Sequence, residues 1–179
     1  AFVVVLTLPV APLVLPVLDP PEYVAYTKRL GFEPPKAEVA HSGPLPQIFG
    51  DQFGWPELVA DVAAVWNGLT PEERSRGAIF ANNYGEAGAI NLFGPAHGLP
   101  PAISAHQNHF FWGPRGFRGD VLVVLQDDRE SLERLCGSVE AVAWHRHPWG
   151  MAEENGVIWV CRGLKTPLPE LWPELKHWN

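Results

Sequence analysis

Two short stretches hold the residue types from which a binding or reaction site can be built. The first is Asn82-Asn83-Tyr84-Gly85-Glu86-Ala87-Gly88, which follows the apolar run Gly77 to Asn82 and precedes a helical pattern from about Glu86 to Phe93. Backbone amides point outward where a strand ends and a helix begins, and ligands of open α/β sheets bind at that edge. Two carboxamides, a phenol and a carboxylate there suit sugar hydroxyls or a phosphate. The same residues also have a purely structural use: Asn82 and Asn83 close a turn, and Glu86 favours the helix dipole. Neither GxGxxG nor a GKS or GKT phosphate loop is present, so no dinucleotide or nucleotide cofactor is implied.

The second stretch is His106-Gln107-Asn108-His109-Phe110-Phe111-Trp112-Gly113-Pro114-Arg115-Gly116, polar at its start and aromatic at its finish. His106, Asn108, Trp112 and Arg115 are its candidates for touching a substrate, because long loops carry function more often than cores do. His106 and His109, with His145 and His147 elsewhere, show no HExxH or carboxylate-bracketed spacing, so no metal is expected. No GxSxG elbow occurs and neither cysteine lies in a nucleophile motif. The carboxylate pairs Glu72/Glu73, Asp127/Asp128 and Glu153/Glu154 read as solvated surface. No catalytic residue is assigned.

The elements that must position these stretches follow from pattern. Asp19 to Gly31 predicts a short helix, and Phe32 to Gly54 a Pro- and Gly-rich connector. Pro56 opens a helix to about Asn67, with Leu58, Val62, Val65 or Trp66, and Leu69 on one buried face. Thr70 and Glu73 make a capping box around Pro71. Strands are predicted at Gly77 to Asn82, Pro101 to Ala105, Asp120 to Gln126, Val139 to His145 and Val157 to Cys161. A helix capped by Asp127 and Glu130 buries Leu132 and Leu135, and a helix from Leu168 to Trp178 closes the chain. Alternating strands and helices predict an α/β layered sandwich around a largely parallel sheet, spanning residues 55–179.

The N-terminal end reads differently. Phe2 to Leu18 contains no charge, which at seventeen residues reaches the short end of a membrane span, roughly 17 to 25 residues. Pro9, Pro12 and Pro16 suit a span that unwinds as it leaves the bilayer. The first charge is Asp19, so the basic start of a signal peptide is missing. The chain begins with Ala1 and its one methionine is Met151, so residues 1–18 are expected to be the end of a transmembrane segment severed from upstream sequence, with 19–54 a short helix and connector. A net charge of -7 argues against a general nucleic-acid binder. Cys136 and Cys161 read first as buried small hydrophobes, with one disulfide between them left open.

The stretches LPQIFGDQFGWPELVADVAAVW, AIFANNYGEAGAINLFGP, the HQNHFFWGPRG loop and the ending VCRGLKTPLPELWPELKHWN together resemble the C-terminal region of bacterial membrane glycosyltransferases. The group is similar to dolichyl-phosphate-mannose-protein mannosyltransferases and aminoarabinose transferases, multi-span proteins with a soluble tail after the last helix. The resemblance covers nearly the whole chain, and NNYGEAGAI and WGPRG are its most specific parts. It implies a bacterial inner-membrane protein whose periplasmic-side domain packs on the membrane portion of the same polypeptide. The lipid-phosphate-linked sugar donor and the carboxylate acting in transfer would belong to that membrane portion. His106 and His109 stand where the family more often has asparagines, so the resemblance implies no role for these imidazoles.

Three functions follow as expectations. The leading one is an accessory domain that helps receive a lipid-linked sugar or glycan acceptor through Asn82, Asn83, Tyr84, Glu86 and the 106–115 loop. The second is a self-sufficient soluble α/β enzyme acting on a sugar or phosphorylated substrate, with Glu86 as acid or base. The third is an interaction module whose strand-end residues only close turns. The leading function predicts that Asn82 to Glu86 and Ala105 to Asn108 lie side by side.

Overall fold

The computed structural model describes residues 7–33, 43–125 and 128–178. The chain divides into two compact units. One takes in residues 1–54 together with His147–Glu153, and the other Trp55–Arg146 with Glu154–Asn179.

In the first unit, α1 (Ala11–Val14) is a single turn, and α2 (Pro20–Leu30) begins on two prolines and ends at Gly31, whose φ of 63° is left-handed. A third short helix, α3, covers Gln47–Gly50. The core is Tyr23, Leu45 and Phe49, with Leu18, Val24, Phe53 and Trp149 packed against them. Tyr23 meets Phe49 edge to face at 5.2 Å, and Phe53 stacks on His147 at 6.2 Å. Gly50 lies so close to Met151 that a Cβ would stand 2.7 Å from the thioether sulfur. The His147–Glu153 segment is therefore built into this unit by close packing. The expected end of a transmembrane segment at residues 1–18 is described only in part. Among the described residues no helix is long and apolar enough to cross a membrane, because the proline-interrupted segment forms only the single turn of α1. The first six residues lie outside the described ones.

The second unit is a layered α/β sandwich. Helix α4 (Trp55–Gly68) carries Pro56 in its first turn and buries Leu58, Val59, Val62, Ala63, Val65 and Trp66 along one face. Helix α5 (Pro71–Arg76) follows, with both bonds of the Thr70/Glu73 capping box formed. Strand β1 (Gly77–Phe80), helix α6 (Tyr84–Phe93), strand β2 (Val121–Leu125), helix α7 (Arg129–Leu135), strands β3 (Cys136–His145) and β4 (Gly156–Leu164), and the short helix α8 (Leu168–Leu171) complete it. Asp128 caps α7 by accepting from Ser131 N–H; the predicted cap, Asp127, lies outside the described residues.

Strand order is β1-β2-β4-β3. Only β1 and β2 run parallel; β2 with β4, and β4 with β3, are antiparallel. The expected largely parallel sheet is thus a mixed one. The reason lies in the connections: a parallel pair needs a crossover, which α6 helps provide between β1 and β2, whereas no α-helix separates β3 from β4. The predicted strand at Pro101 to Ala105 reduces to one bridge, Phe80 with Ile103, although Ala81 and Ile103 both donate backbone bonds across it.

Side chains alternate along the strands with period two. Ile79, Val121, Val123, Leu125, Ile158 and Val160 face α4 and α6. Ala78, Leu122, Val124, Trp159 and Cys161 face the layer holding Leu132, Leu168 and Trp172. Cys136 and Cys161 are bonded on this second face, with Cα atoms 5.8 Å apart. Gly119, at φ 92°, allows a close approach of the Leu164 side chain that a Cβ there would block. The predicted Leu168 to Trp178 helix is broken: α8 gives way to a 3-10 turn at Trp172–Leu175, and His177 pairs as an extended residue with His106. Pro173 lacks the N–H group that a continuous helix needs at its interior, whereas Pro169 sits in the first turn, where proline is tolerated.

Candidate functional site

The end of β1 and the residues after Ile103 lie side by side, as anticipated. Tyr84 N–H donates to His106 Nδ1 at 3.3 Å, which fixes the His106 lone pair on that nitrogen. The rings of Tyr84, His106 and His177 form a stack, with centroids 5.2 Å and 4.8 Å apart. His177 Nε2 faces the Asn82 carbonyl at 3.0 Å. Asn82, Asn83, Tyr84, Glu86 and His106 are therefore gathered in one place, joined by His177 from the far end of the chain.

Glu86 points inward. Asn83 accepts from Glu86 N–H at 2.9 Å, and Glu86 Oε2 accepts from Asn82 N–H at 2.7 Å and from Asn83 N–H at 3.4 Å, a capping box at the start of α6. The side chain is fully buried. Its Oε1 receives no N–H donor and has the Glu154 carboxyl as neighbour, while Asn83 Nδ2 donates to Glu154 Oε1 at 3.1 Å. Burial, then the Glu154 charge, push the Glu86 carboxyl well above the ordinary carboxylate range; the backbone donors of Asn82 and Asn83 act the other way. Ionising both neighbouring carboxyls at once is therefore disfavoured. Glu154, expected as solvated surface, is thus a partner in this cluster. Its role was illegible in sequence because 71 residues separate it from Asn83.

The 106–115 loop faces outward. Gln107–Trp112 form a 3-10 helix whose base is held by Trp172, which donates from Nε1 to the Phe110 carbonyl at 3.0 Å and stacks on the Phe110 ring. His109 is buried against Trp112 at 4.2 Å; burial, and secondarily the Arg115 charge, hold its imidazole below the ordinary range. Trp112 is exposed, with the Arg115 guanidinium 5.6 Å from its ring centre. Arg115 and Gln107 have φ of 49° and 47°, left-handed values uncommon outside glycine and asparagine. Asn108 is exposed, and Trp112 and Arg115 form a cluster of their own. Lys176, absent from the sequence-based candidates, lies about 5 Å from the rings of Phe110, Phe111 and Trp178.

A further polar pair was also unforeseen: buried His145 Nδ1 and Asp61 Oδ2, 2.7 Å apart, tie β3 to α4. Among the described residues no three His, Cys, Asp or Glu side chains gather closely enough to hold a metal ion. No family model matches the chain, and neither does any curated protein or solved structure.

At the strand ends the Tyr84 phenol reaches open space, whereas the Glu86 carboxyl does not. Glu86 is sealed and engaged in its cap, with the Glu154 carboxyl beside it. What faces solvent is aromatic and cationic: Tyr84, Trp112 and Arg115.

Proposed function

We propose that this chain is the periplasmic-side domain of an integral membrane glycosyltransferase that uses a polyprenyl-phosphate-linked sugar donor, and that the domain itself is accessory to catalysis. The observation that carries this reading is the division of the candidate residues. Glu86 and Asn83 turn inward to build a helix cap, whereas Tyr84, Trp112 and Arg115 present rings and a cation outward. An acid or base works only within hydrogen-bond reach of its substrate, and a fully buried Glu86 does not offer that reach. The Cys136–Cys161 disulfide supports an oxidising, extracytoplasmic setting. The resemblance of the NNYGEAGAI and WGPRG stretches supplies the transferase class and the lipid-linked donor.

The test compares the isolated chain with the membrane-embedded full-length protein, using a polyprenyl-phosphate-linked sugar and following its transfer. The isolated chain should transfer and hydrolyse nothing measurable. In the full-length protein Trp112→Ala should reduce transfer, and Glu86→Gln, which keeps the cap's acceptor, should not. Activity in the purified chain that Glu86→Gln abolishes would instead establish the self-sufficient soluble enzyme.

A further inference from the structure

The loop that ends at Arg115 and the last described residues leave large apolar rings uncovered. Phe111 is 65% exposed, Trp112 61% and Trp178 54%, and on α6 Leu92 is 72% exposed. Phe111 and Trp178 share Lys176 between them, and exposed apolar surface gathered in this way marks a place where something docks. Two cations sit among these rings. Lys176 Nζ lies 4.9 to 5.0 Å from the centres of Phe110, Phe111 and Trp178, and Arg115 stands over Trp112. Among the described residues neither cation pairs with a carboxylate, although the chain carries a net charge of -7. The face is therefore complementary to an anion with an apolar body.

A cleft of about 360 Å³ adjoins Trp112 and Arg115, with Ile90, Pro95, Leu99 and Pro101 among its walls. Asn91 also lines it, but its Oδ1 already accepts from Ala102 N–H at 2.9 Å. The cleft thus has few groups with which to bind sugar hydroxyls, and walls suited to a hydrocarbon. Arg115 is held beside it with a left-handed backbone, a costly conformation that is concentrated at ligand clamps.

We propose that this face binds an anionic phospholipid bilayer, with the cleft beside Arg115 taking the phosphate and the adjoining chain of one lipid. Aromatic rings at headgroup level, with Lys and Arg reaching the phosphates, form the usual partition of such side chains at a bilayer surface. The inference goes beyond the transferase reading. It concerns any chain working beside a bilayer, and vesicle binding can fail while sugar transfer by the membrane-embedded protein survives.

The experiment is co-sedimentation of the full 179-residue chain with vesicles of phosphatidylcholine alone, or of phosphatidylcholine mixed with phosphatidylglycerol. The chain should partition onto the anionic vesicles, less so as salt rises, and hardly onto the neutral ones. One basic side chain at such a surface contributes about fivefold in partitioning, so Arg115→Gln and Lys176→Gln should each weaken binding by about that factor. Arg115→Lys should retain most of it, and Trp112→Ala should weaken it without loss of charge. Melting temperatures, measured alongside, identify any variant whose loss is one of folding. Equal partition onto both vesicle types, or no change in Arg115→Gln, overturns the proposal. So does retention on an immobilised polysaccharide or an acidic protein without vesicle binding.

Discussion

The inward cluster of Asn83, Glu86 and Glu154 and the outward cluster of Trp112, Arg115, Lys176 and Trp178 belong to the same sandwich, yet their polar groups face opposite ways. In the first, carboxylates and carboxamide are hydrogen-bonded to the start of α6 and to one another, and the result is a fixed helix end. In the second, the cations meet only ring faces, and both rings and charges remain open to solvent. The presence of polar residues at a strand end therefore says little about function. What distinguishes a cap from a contact surface is whether the fold has already used the hydrogen-bonding capacity of those residues.

This comparison can be broken by lesions that either spare or damage one cluster alone. The largest effect should come from a change that damages both. Replacing Cys136 and Cys161 by Ala removes a link across 25 residues, and should lower stability by about 3 kcal/mol in urea denaturation. Both clusters should loosen together, since both rest on the same sheet.

A pH series isolates the inward cluster. The folded-state affinity of Glu86 for its proton is raised, so between the ordinary carboxylate range and that higher value the native state binds more protons than the unfolded chain. Stability should then fall as pH rises through this window, with a slope of up to about 1.4 kcal/mol per pH unit. Below the ordinary range both states are protonated and the contribution is level. Glu86→Gln should remove the slope and leave the chain more stable than the wild type at alkaline pH. A wild-type curve that stays level over the same window would show that Glu86 is ionised in the fold. Asn83→Ala removes the cap of α6 and should cost about 1 kcal/mol, with no effect on vesicle partitioning. The smallest change in stability belongs to the outward cluster: Lys176→Gln should alter the unfolding midpoint by less than the equivalent of about 0.5 kcal/mol. A large destabilisation there would mean that Lys176 supports the fold and that the two clusters do not differ as described.

Much of the sandwich was legible in local sequence. The apolar spacing of Leu58, Val62, Val65 and Trp66 marks α4, and the Thr70-Pro71-Glu73 combination marks its successor, because caps and periodicity act over a single turn. The run at Val121 to Leu125 was equally plain. Strand direction was not, since a short apolar run suits a parallel or an antiparallel partner alike and the sequence does not name the neighbour. That is why β4 was not foreseen between β2 and β3. The meeting of Tyr84 with His106 followed from both lying just beyond strand ends. Glu154, Lys176 and His177 came from distant sequence and carry no local signature of where the chain will bring them. The closing helix stops for a local reason that the leucine spacing hides: Pro173 withdraws an interior donor from eleven residues of apparent periodicity.

The seven residues His147–Glu153 that complete the first unit have a consequence for synthesis on the ribosome. Trp149 packs on the Tyr23–Phe49 core, His147 stacks on Phe53, and Met151 abuts Gly50. A nascent chain that has emerged only as far as Gly54 lacks all three. Domains usually fold in the order in which they are translated, but here the N-terminal unit must wait for the whole of Trp55–Arg146 before its last pieces arrive. The later-translated unit can settle its parallel strand pair and α4 first, which reverses the usual order of assembly and leaves the apolar side chains of α2 and α3 in need of shielding meanwhile.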